Sequence, residues 1–410
     1  MLTTVRAVRP LEEARPGPEV GLALRLLVQA LEVADLLVRD VLLPAAAAPD
    51  APDQLKEIAE VGMLLRAAAR VEDREVRARV DALAALISPL ARGDVVRRQL
   101  LARVSDAAPR TLAHGCLTQA GCPDPAFDRE VRRALSASTA KAAERVPYRL
   151  LDSAWIRHLT LGDAELIEHP SLPLTCLGVG VDLVGVSVEA AYALSHTLPY
   201  ATDFGRLSLP GWVDRQRQSE LADGLIAKAL AEEDMDLLGE LLMAPALLRL
   251  PWSPMQRFGF RVLTDVWRRH PILPGPGVPP AAPGEDDQAR KRRVLGTVYH
   301  TSLVGGLLMA LLLWRDEVPH AISAELPPTT SGPAWRASWQ GLSAAQRAEY
   351  AVAPWLIAMH GAMEAIDVGA MIALLRDPTA AAAPVEVVTQ AAELIGRLIS
   401  ALDGAAAYPG

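Results

Sequence analysis

Apolar residues recur along the chain at helical spacing, in segments that begin about every 15 to 30 residues. Leu and Ala dominate these segments, and the alternating Val, Ile, Thr and aromatic residues typical of strands are nearly missing. One stretch departs from the pattern: residues 172–188 mix apolar residues with Gly178, Gly180 and Gly185, and predict a loop or a glycine-broken helix. The pattern predicts an all-α fold, in which we expect antiparallel helix pairs that form an α/α toroid or a curved helical solenoid.

The helical segments fall into two groups. Residues 1–145 predict an N-terminal helical lobe with short links between its helices, and residues 146–410 predict a C-terminal α/α domain. Within the second group, the Pro/Gly-rich segment 271–287 has no apolar periodicity and predicts a surface loop. The most apolar run, residues 301–314, is too short to cross a bilayer comfortably, so we expect a buried helix there.

Composition narrows the classes of function. The chain has 410 residues, of which 51% are hydrophobic and only 4% aromatic, and its net charge is −8. An acidic chain offers no basic field to nucleic acid. Three cysteines, Cys116, Cys122 and Cys176, and an N-terminus without an apolar segment favour a reducing cytoplasm. We therefore expect a cytoplasmic protein with neither a nucleic-acid nor a membrane partner.

Residues 188–205, VEAAYALSHTLPYATDFG, contain the densest group of reactive side chains. Tyr192 and His196 are four positions apart, so on a helix they share a face. Proline is disfavoured inside a helix, and the helix should therefore bend or stop just before Pro199. Residues 200–205 would then form a turn, which brings an acid, a phenol and an imidazole together at one helix end.

These residue types support proton transfer. We expect His196 to act as general base or acid, with Asp203 as the carboxylate that orients its imidazole. Tyr200 or Tyr192 would donate a proton to a developing oxyanion. The structural alternative is that His196 contacts a backbone carbonyl while Asp203 caps a helix.

Two further histidines lie in apolar helical segments. His300, next to Tyr299, needs a polar partner if it is buried, and it is our fifth candidate catalytic residue. His360 is followed by Asp and Gly at the same offsets as His196, in HGAMEAIDVG. This echo suggests helix-pair units that present histidines at equivalent places.

Metal-binding motifs are missing from the sequence. Cys116 and Cys122 lack the Cys-x2-Cys spacing, HExxH does not occur, and the histidines lie singly on separate segments. We expect neither a metal ion nor another cofactor. The acidic segment 232–240, EEDMDLLGE, admits a magnesium site or an acid-rich cyclase motif. We interpret it instead as a solvated helix start that the helix dipole stabilises, because the chain has few aromatic residues to wall a cyclase pocket.

YALSHTLPYATDFG, with the upstream RVPYRLLD and the downstream YHTSLVGG, resembles an uncharacterised family of actinobacterial helical proteins. That family carries a YALTH…Y.TDFG signature and often lies near natural-product gene clusters. The resemblance covers residues 128–315, with Ser195 in place of Thr and Pro199 in place of Phe. It supports the site residues named above and implies no established reaction.

These patterns favour a tailoring enzyme of natural-product biosynthesis, of cyclase, lyase or isomerase type. It would use cofactor-free acid–base chemistry in an apolar helical cavity, on a small-molecule or peptide substrate. The alternative is a non-enzymatic helical-repeat module that binds a partner protein or peptide. An enzyme needs His196, Asp203 and His300 to converge in an enclosed pocket, whereas a scaffold needs a long open groove.

Overall fold

A computed structural model describes residues 17–46, 54–137, 145–162, 166–275, 277, 285–320, 326–327 and 332–406. Over these ranges the regular elements are helical and no strand occurs, which confirms the all-α prediction. The helices are α1 Pro18–Leu37, α2 Leu43–Ala46, α3 Leu55–Ala68, α4 Arg74–Arg92, α5 Asp94–Ala102, α6 Ala107–Gln119, α7 Pro125–Leu135, α8 Pro147–Leu161, α9 Cys176–Val179, α10 Val188–Thr202, α11 Arg215–Ala231, α12 Met235–Leu241, α13 Ala244–Leu248, α14 Pro254–Trp267, α15 Asp287–Arg315, α16 Ala334–Gln340, α17 Ala344–Glu349, α18 Val352–Glu364, α19 Val368–Arg376 and α20 Val385–Ala406.

Helix α15 is the central element of the site region, because it packs against α1, α3 and α12. Its close approach to its neighbours depends on two glycines. A Cβ atom added at Gly305 would lie 2.5 Å from the ring of Trp267, and one added at Gly306 would lie 2.5 Å from the Cβ of Ala30. No side chain larger than hydrogen fits these contacts without movement of the neighbours.

One hydrophobic core runs through both predicted groups of helices. Leu27 and Leu64 from the N-terminal group belong to the same buried cluster as Trp155, Leu247 and Leu308. Helix α6 also packs directly on α8. Buried side chains on both sides of residue 145 therefore belong to one cluster.

The predicted loop 271–287 is partly packed. Leu273 is fully buried, and its backbone N–H donates to Oγ of Ser302 on α15 at 3.0 Å. The side-chain amide of Gln29 donates to the carbonyl of Pro271 at 2.7 Å. The start of the segment is therefore fixed against α1 and α15, while residues 276 and 278–284 lie outside the described residues.

Helix α15 is also the one described helix that is long and apolar enough to cross a membrane. However, 78% of its most apolar window is buried inside the protein. A membrane-spanning helix exposes such a surface to lipid, so the length and apolar composition of α15 are only weak evidence of a membrane span. Its burial agrees with the buried helix expected from the sequence.

Candidate functional site

Helices α3, α10, α12 and α15 meet around a pocket of about 90 Å³. His196, Tyr200 and His300 all line it, so three of the five predicted site residues share one cavity. The polar lining residues are Glu60, Ser195, His196, Tyr200, Glu240 and His300, and the apolar ones are Met63, Pro199, Phe204, Met243, Leu303, Val304 and Leu307.

Helix α10 presents three rings to this region on successive turns. The ring centroid of His196 lies 5.4 Å from that of Tyr192 and 6.1 Å from that of Tyr200, and both pairs are stacked. Tyr148 of α8 stacks on the same imidazole at 6.1 Å. The shared face of Tyr192 and His196 is thus confirmed. Of the bend or stop predicted just before Pro199, the stop is wrong, because α10 continues through this proline to Thr202.

The imidazole of His196 is held in a defined tautomer. Its Nδ1 lies 2.9 Å from the carbonyl oxygen of Tyr192, so Nδ1 carries the hydrogen and donates it. Its Nε2 is left as the acceptor and lies 3.7 Å from Oε1 of Glu240. Burial, followed by the charge of Arg149, lowers the pKa of His196, so the ring is neutral at pH 7 and Nε2 is a base.

Helix α12 supplies two buried carboxylates. Asp236 is 5% exposed and Glu240 is 7% exposed, so the interpretation of this segment as a solvated helix start is wrong for both residues. Asp236 accepts a hydrogen bond from the hydroxyl of Tyr192 at 3.1 Å, and Glu240 accepts one from Ser195. Burial raises the pKa of Glu240 to about 7 and that of Asp236 to about 6, which allows either group to exchange a proton near neutral pH.

His300 lies among three carboxylates. Its Nδ1 is 3.0 Å from Oε2 of Glu60, and its Nε2 is 3.5 Å from Oδ2 of Asp236 and 4.0 Å from Oε1 of Glu240. Burial lowers the pKa of His300, but the adjacent Glu60 and the charges of the other two carboxylates outweigh burial and raise it to about 9. This imidazole is therefore a cation at neutral pH.

The two predicted tyrosines differ in their surroundings. Tyr200 lines the pocket, is 8% exposed and stacks on Trp155 at 5.0 Å, and burial raises its pKa well above the usual range. The hydroxyl of Tyr192 donates to Asp236, and burial together with that carboxylate raises its pKa as well. Both phenols are therefore hydrogen-bond donors at neutral pH, and neither ionises readily.

Asp203 does not have the role expected from the sequence. Its Oδ1 accepts hydrogen bonds from Nη2 of Arg66 at 2.6 Å and from Nε1 of Trp155 at 2.7 Å. Among the described residues, the imidazole nitrogens of His196 lie instead next to the carbonyl of Tyr192 and the carboxylate of Glu240. Asp203 ends α10 in a left-handed conformation, with φ of 47°, and its carboxylate serves the buried arginine.

Glu60 was not singled out from the sequence, and Asp236 and Glu240 were considered only within the alternative of a magnesium site or acid-rich motif, which was set aside. Asp236 and Glu240 are four positions apart, and this spacing was the available signal, because it puts both carboxylates on one helix face. Glu60 has no such signal, since nothing local connects α3 with His300.

One protein family matches a part of the chain that contains every described residue lining the pocket. A family model described as a domain of unknown function, DUF6895, matches residues 23–310. The chain belongs to this family. No curated protein and no solved structure matches this chain. The DUF6895 match includes Glu60, His196, Glu240 and His300, and this agrees with the sequence-based resemblance to an uncharacterised family.

His360 lies beyond the DUF6895 match, on α18. It is buried, and it is not among the described residues that line the pocket. The aspartate that follows it, Asp367, caps α19 by accepting from the N–H of Ala370, whereas Asp203 ends α10 and pairs with Arg66. The expected equivalence of the two histidine segments is therefore wrong.

Proposed function

We propose that this DUF6895 protein is an enzyme that catalyses proton transfer on a small-molecule or peptide substrate, as a lyase, cyclase or isomerase of natural-product tailoring. The observation that carries the proposal is the convergence of His196, Glu240 and His300 on one mostly apolar pocket. A structural protein gains nothing from burying such a cluster, since the burial of each charge costs stability.

The three groups have different proton affinities, which suits acid–base catalysis. Neutral His196 offers a lone pair at Nε2, and we propose it as the general base. The pKa of Glu240, raised by burial to about 7, lets this residue be protonated at neutral pH and donate its own proton to the substrate. Transfer of the proton from His196 to Glu240, 3.7 Å away, then restores both groups. The cationic His300 stabilises negative charge that develops on a substrate oxygen.

The lining favours a reacting group of limited size. Met63, Leu303 and Leu307 form apolar walls beside the polar groups, which suits an apolar segment that bears one carbonyl or hydroxyl group. We propose that Tyr200, which lines the same pocket, donates a hydrogen bond to such an oxygen. We further propose a cytoplasmic location and a closure of the helix pairs into an α/α toroid or curved solenoid. The support for this proposal is that α3 and α15, which are far apart in the sequence, line one pocket.

The alternative, a helical-repeat module for a partner protein or peptide, is less well supported. A scaffold of this kind uses a long open groove with neutral, exposed contacts. The polar groups of this pocket face inward, and Asp236 and Glu240 are nearly inaccessible to a macromolecule.

Gene replacement in the source organism tests the proposal and identifies the substrate in the same experiment. A strain that carries His196→Gln should accumulate the substrate, and the purified wild-type protein should convert the accumulated compound. A strain with His360→Gln, a buried histidine outside the pocket, serves as the matched control. Metabolite profiles that are identical in the His196→Gln and wild-type strains would contradict the proposal.

A further inference from the structure

The side chains of Asp236, Glu240 and His300 each bring one ligand atom to the same place. These atoms all lie within 4.8 Å of one another. Ligands of a transition-metal ion at about 2.0–2.2 Å are separated by roughly 3 Å, so small side-chain rotations bring this set to coordination distance. We infer that the three residues bind a divalent transition-metal ion, and this inference rests on the proposed function while it replaces the sequence-based expectation of a metal-free site. With the ion bound, the metal takes over the charge stabilisation assigned to the cationic His300, Glu240 is a ligand, and His196 remains the base.

The surroundings of the three ligands support this inference independently. Nδ1 of His300 faces Oε2 of Glu60 at 3.0 Å, which leaves Nε2 toward the other two residues. A histidine that binds a metal usually directs its second nitrogen to a carboxylate or carbonyl in this way. Tyr192 holds the carboxylate of Asp236, and Ser195 holds that of Glu240.

Asp236 adds a second indication of a cation. The residue is only 5% exposed, and its Oδ1 meets no hydrogen-bond donor of the described residues. A buried carboxylate oxygen without a donor is costly, and a bound cation satisfies it.

Charge balance also favours a divalent ion. The carboxylates of Glu60, Asp236 and Glu240 surround the single imidazole of His300, so three negative charges face at most one positive charge. A divalent ion offsets up to two of these three negative charges, more than the single proton on His300 can offset. Because a ligating imidazole is neutral, binding of the ion displaces the proton of His300 into solution.

The donor set indicates the class of metal. One imidazole nitrogen and two carboxylate oxygens suit Zn²⁺, Mn²⁺ or Fe²⁺, whereas Mg²⁺ and Ca²⁺ prefer oxygen alone. Three protein ligands leave coordination positions for water or a substrate oxygen. Nε2 of His196 lies 3.7 Å from Oε1 of Glu240, so a base is adjacent to this ligand set.

Titration of the chelator-treated, full-length protein with Zn²⁺ or Mn²⁺ alone tests the inference. We expect one equivalent to bind with release of a proton. The outer partner variant Glu60→Gln should bind about 10–100-fold more weakly, and the ligand variants Glu240→Gln and His300→Gln more weakly still. His360→Gln and Asp223→Asn, a buried histidine and a buried carboxylate outside the site, should bind like the wild type.

Circular dichroism on every variant shows whether a variant that binds the metal more weakly is still folded. If neither ion binds at one equivalent, or if His300→Gln and His360→Gln bind equally, the metal inference is wrong. That result leaves the proposed function intact if His196→Gln still blocks conversion. If one equivalent of metal binds but the His196→Gln and wild-type strains have identical metabolite profiles, the metal inference stands and the proposed function is wrong.

Discussion

Oδ1 of Asp203 lies 2.6 Å from Nη2 of Arg66, and both side chains are only 3% exposed. The indole of Trp155 donates to the same oxygen. A charged pair this deeply buried depends on both members, because loss of one leaves the other charged and unpaired. Asp203 therefore fixes the end of α10, and with it the position of His196, through a structural contact.

Asp203→Asn should lower the free energy of unfolding by about 3–5 kcal/mol, since it leaves the guanidinium of Arg66 buried without its counter-charge. Urea denaturation measures this loss. The exposed pair between Arg39 and Asp35 is a matched control, and Asp35→Asn should cost less than about 1 kcal/mol. An Asp203→Asn protein of wild-type stability without activity would restore the catalytic role expected from the sequence.

Gly305→Ala and Gly306→Ala should each destabilise the fold by about 1–3 kcal/mol, because each added methyl group enters a filled space between helices. Gly296, on the same helix, has no atom within 4 Å of an added Cβ. Gly296→Ala should therefore be neutral or stabilise by up to about 1 kcal/mol through its higher helix propensity. Equal thermal midpoints for all three variants would contradict the tight packing of α15.

The pH dependence of stability should change in Glu240→Gln. Burial raises the pKa of Glu240 from 4.5 to about 7, so ionisation of this group costs more in the folded than in the unfolded protein. Its contribution to stability is complete below pH 4.5 and is lost as the pH rises through 7. In the presence of chelator, Glu240→Gln should remove the part of the stability loss between pH 4.5 and 7 that comes from ionisation of Glu240.

Urea denaturation from pH 4 to 8 measures the difference between the two proteins. The variant should gain relative to the wild type as the pH rises. Asp223→Asn is the positive control and should gain over the same range, because burial also raises the pKa of Asp223 to about 7. A difference between Glu240→Gln and wild type that stays constant over this range would show that Glu240 ionises normally.

Local spacing predicted part of the site. The helices and the shared face of Tyr192 and His196 follow from periodicity. Periodicity also places Asp236 and Glu240 on one face of α12. It does not say whether that face points to solvent or to the interior, because the neighbouring helices decide this.

Contacts between distant positions could not be predicted from one sequence. Arg66 pairs with Asp203 across 137 positions, and no local pattern connects them. Glu60 likewise reaches His300 only because α3 packs on α15. Local spacing therefore indicated two histidines of the site but assigned His196 the wrong carboxylate, since the nearest acid in the sequence was not the nearest acid in space.

We propose that His196 transfers a proton in the pocket, and the turnover number of His196→Gln on the accumulated compound tests this role most directly. Loss of a general base should reduce kcat by about 10²–10⁴-fold. The thermal midpoint should stay close to that of the wild type, and His360→Gln should retain wild-type turnover. Equal turnover by folded His196→Gln and His360→Gln proteins would contradict the claim.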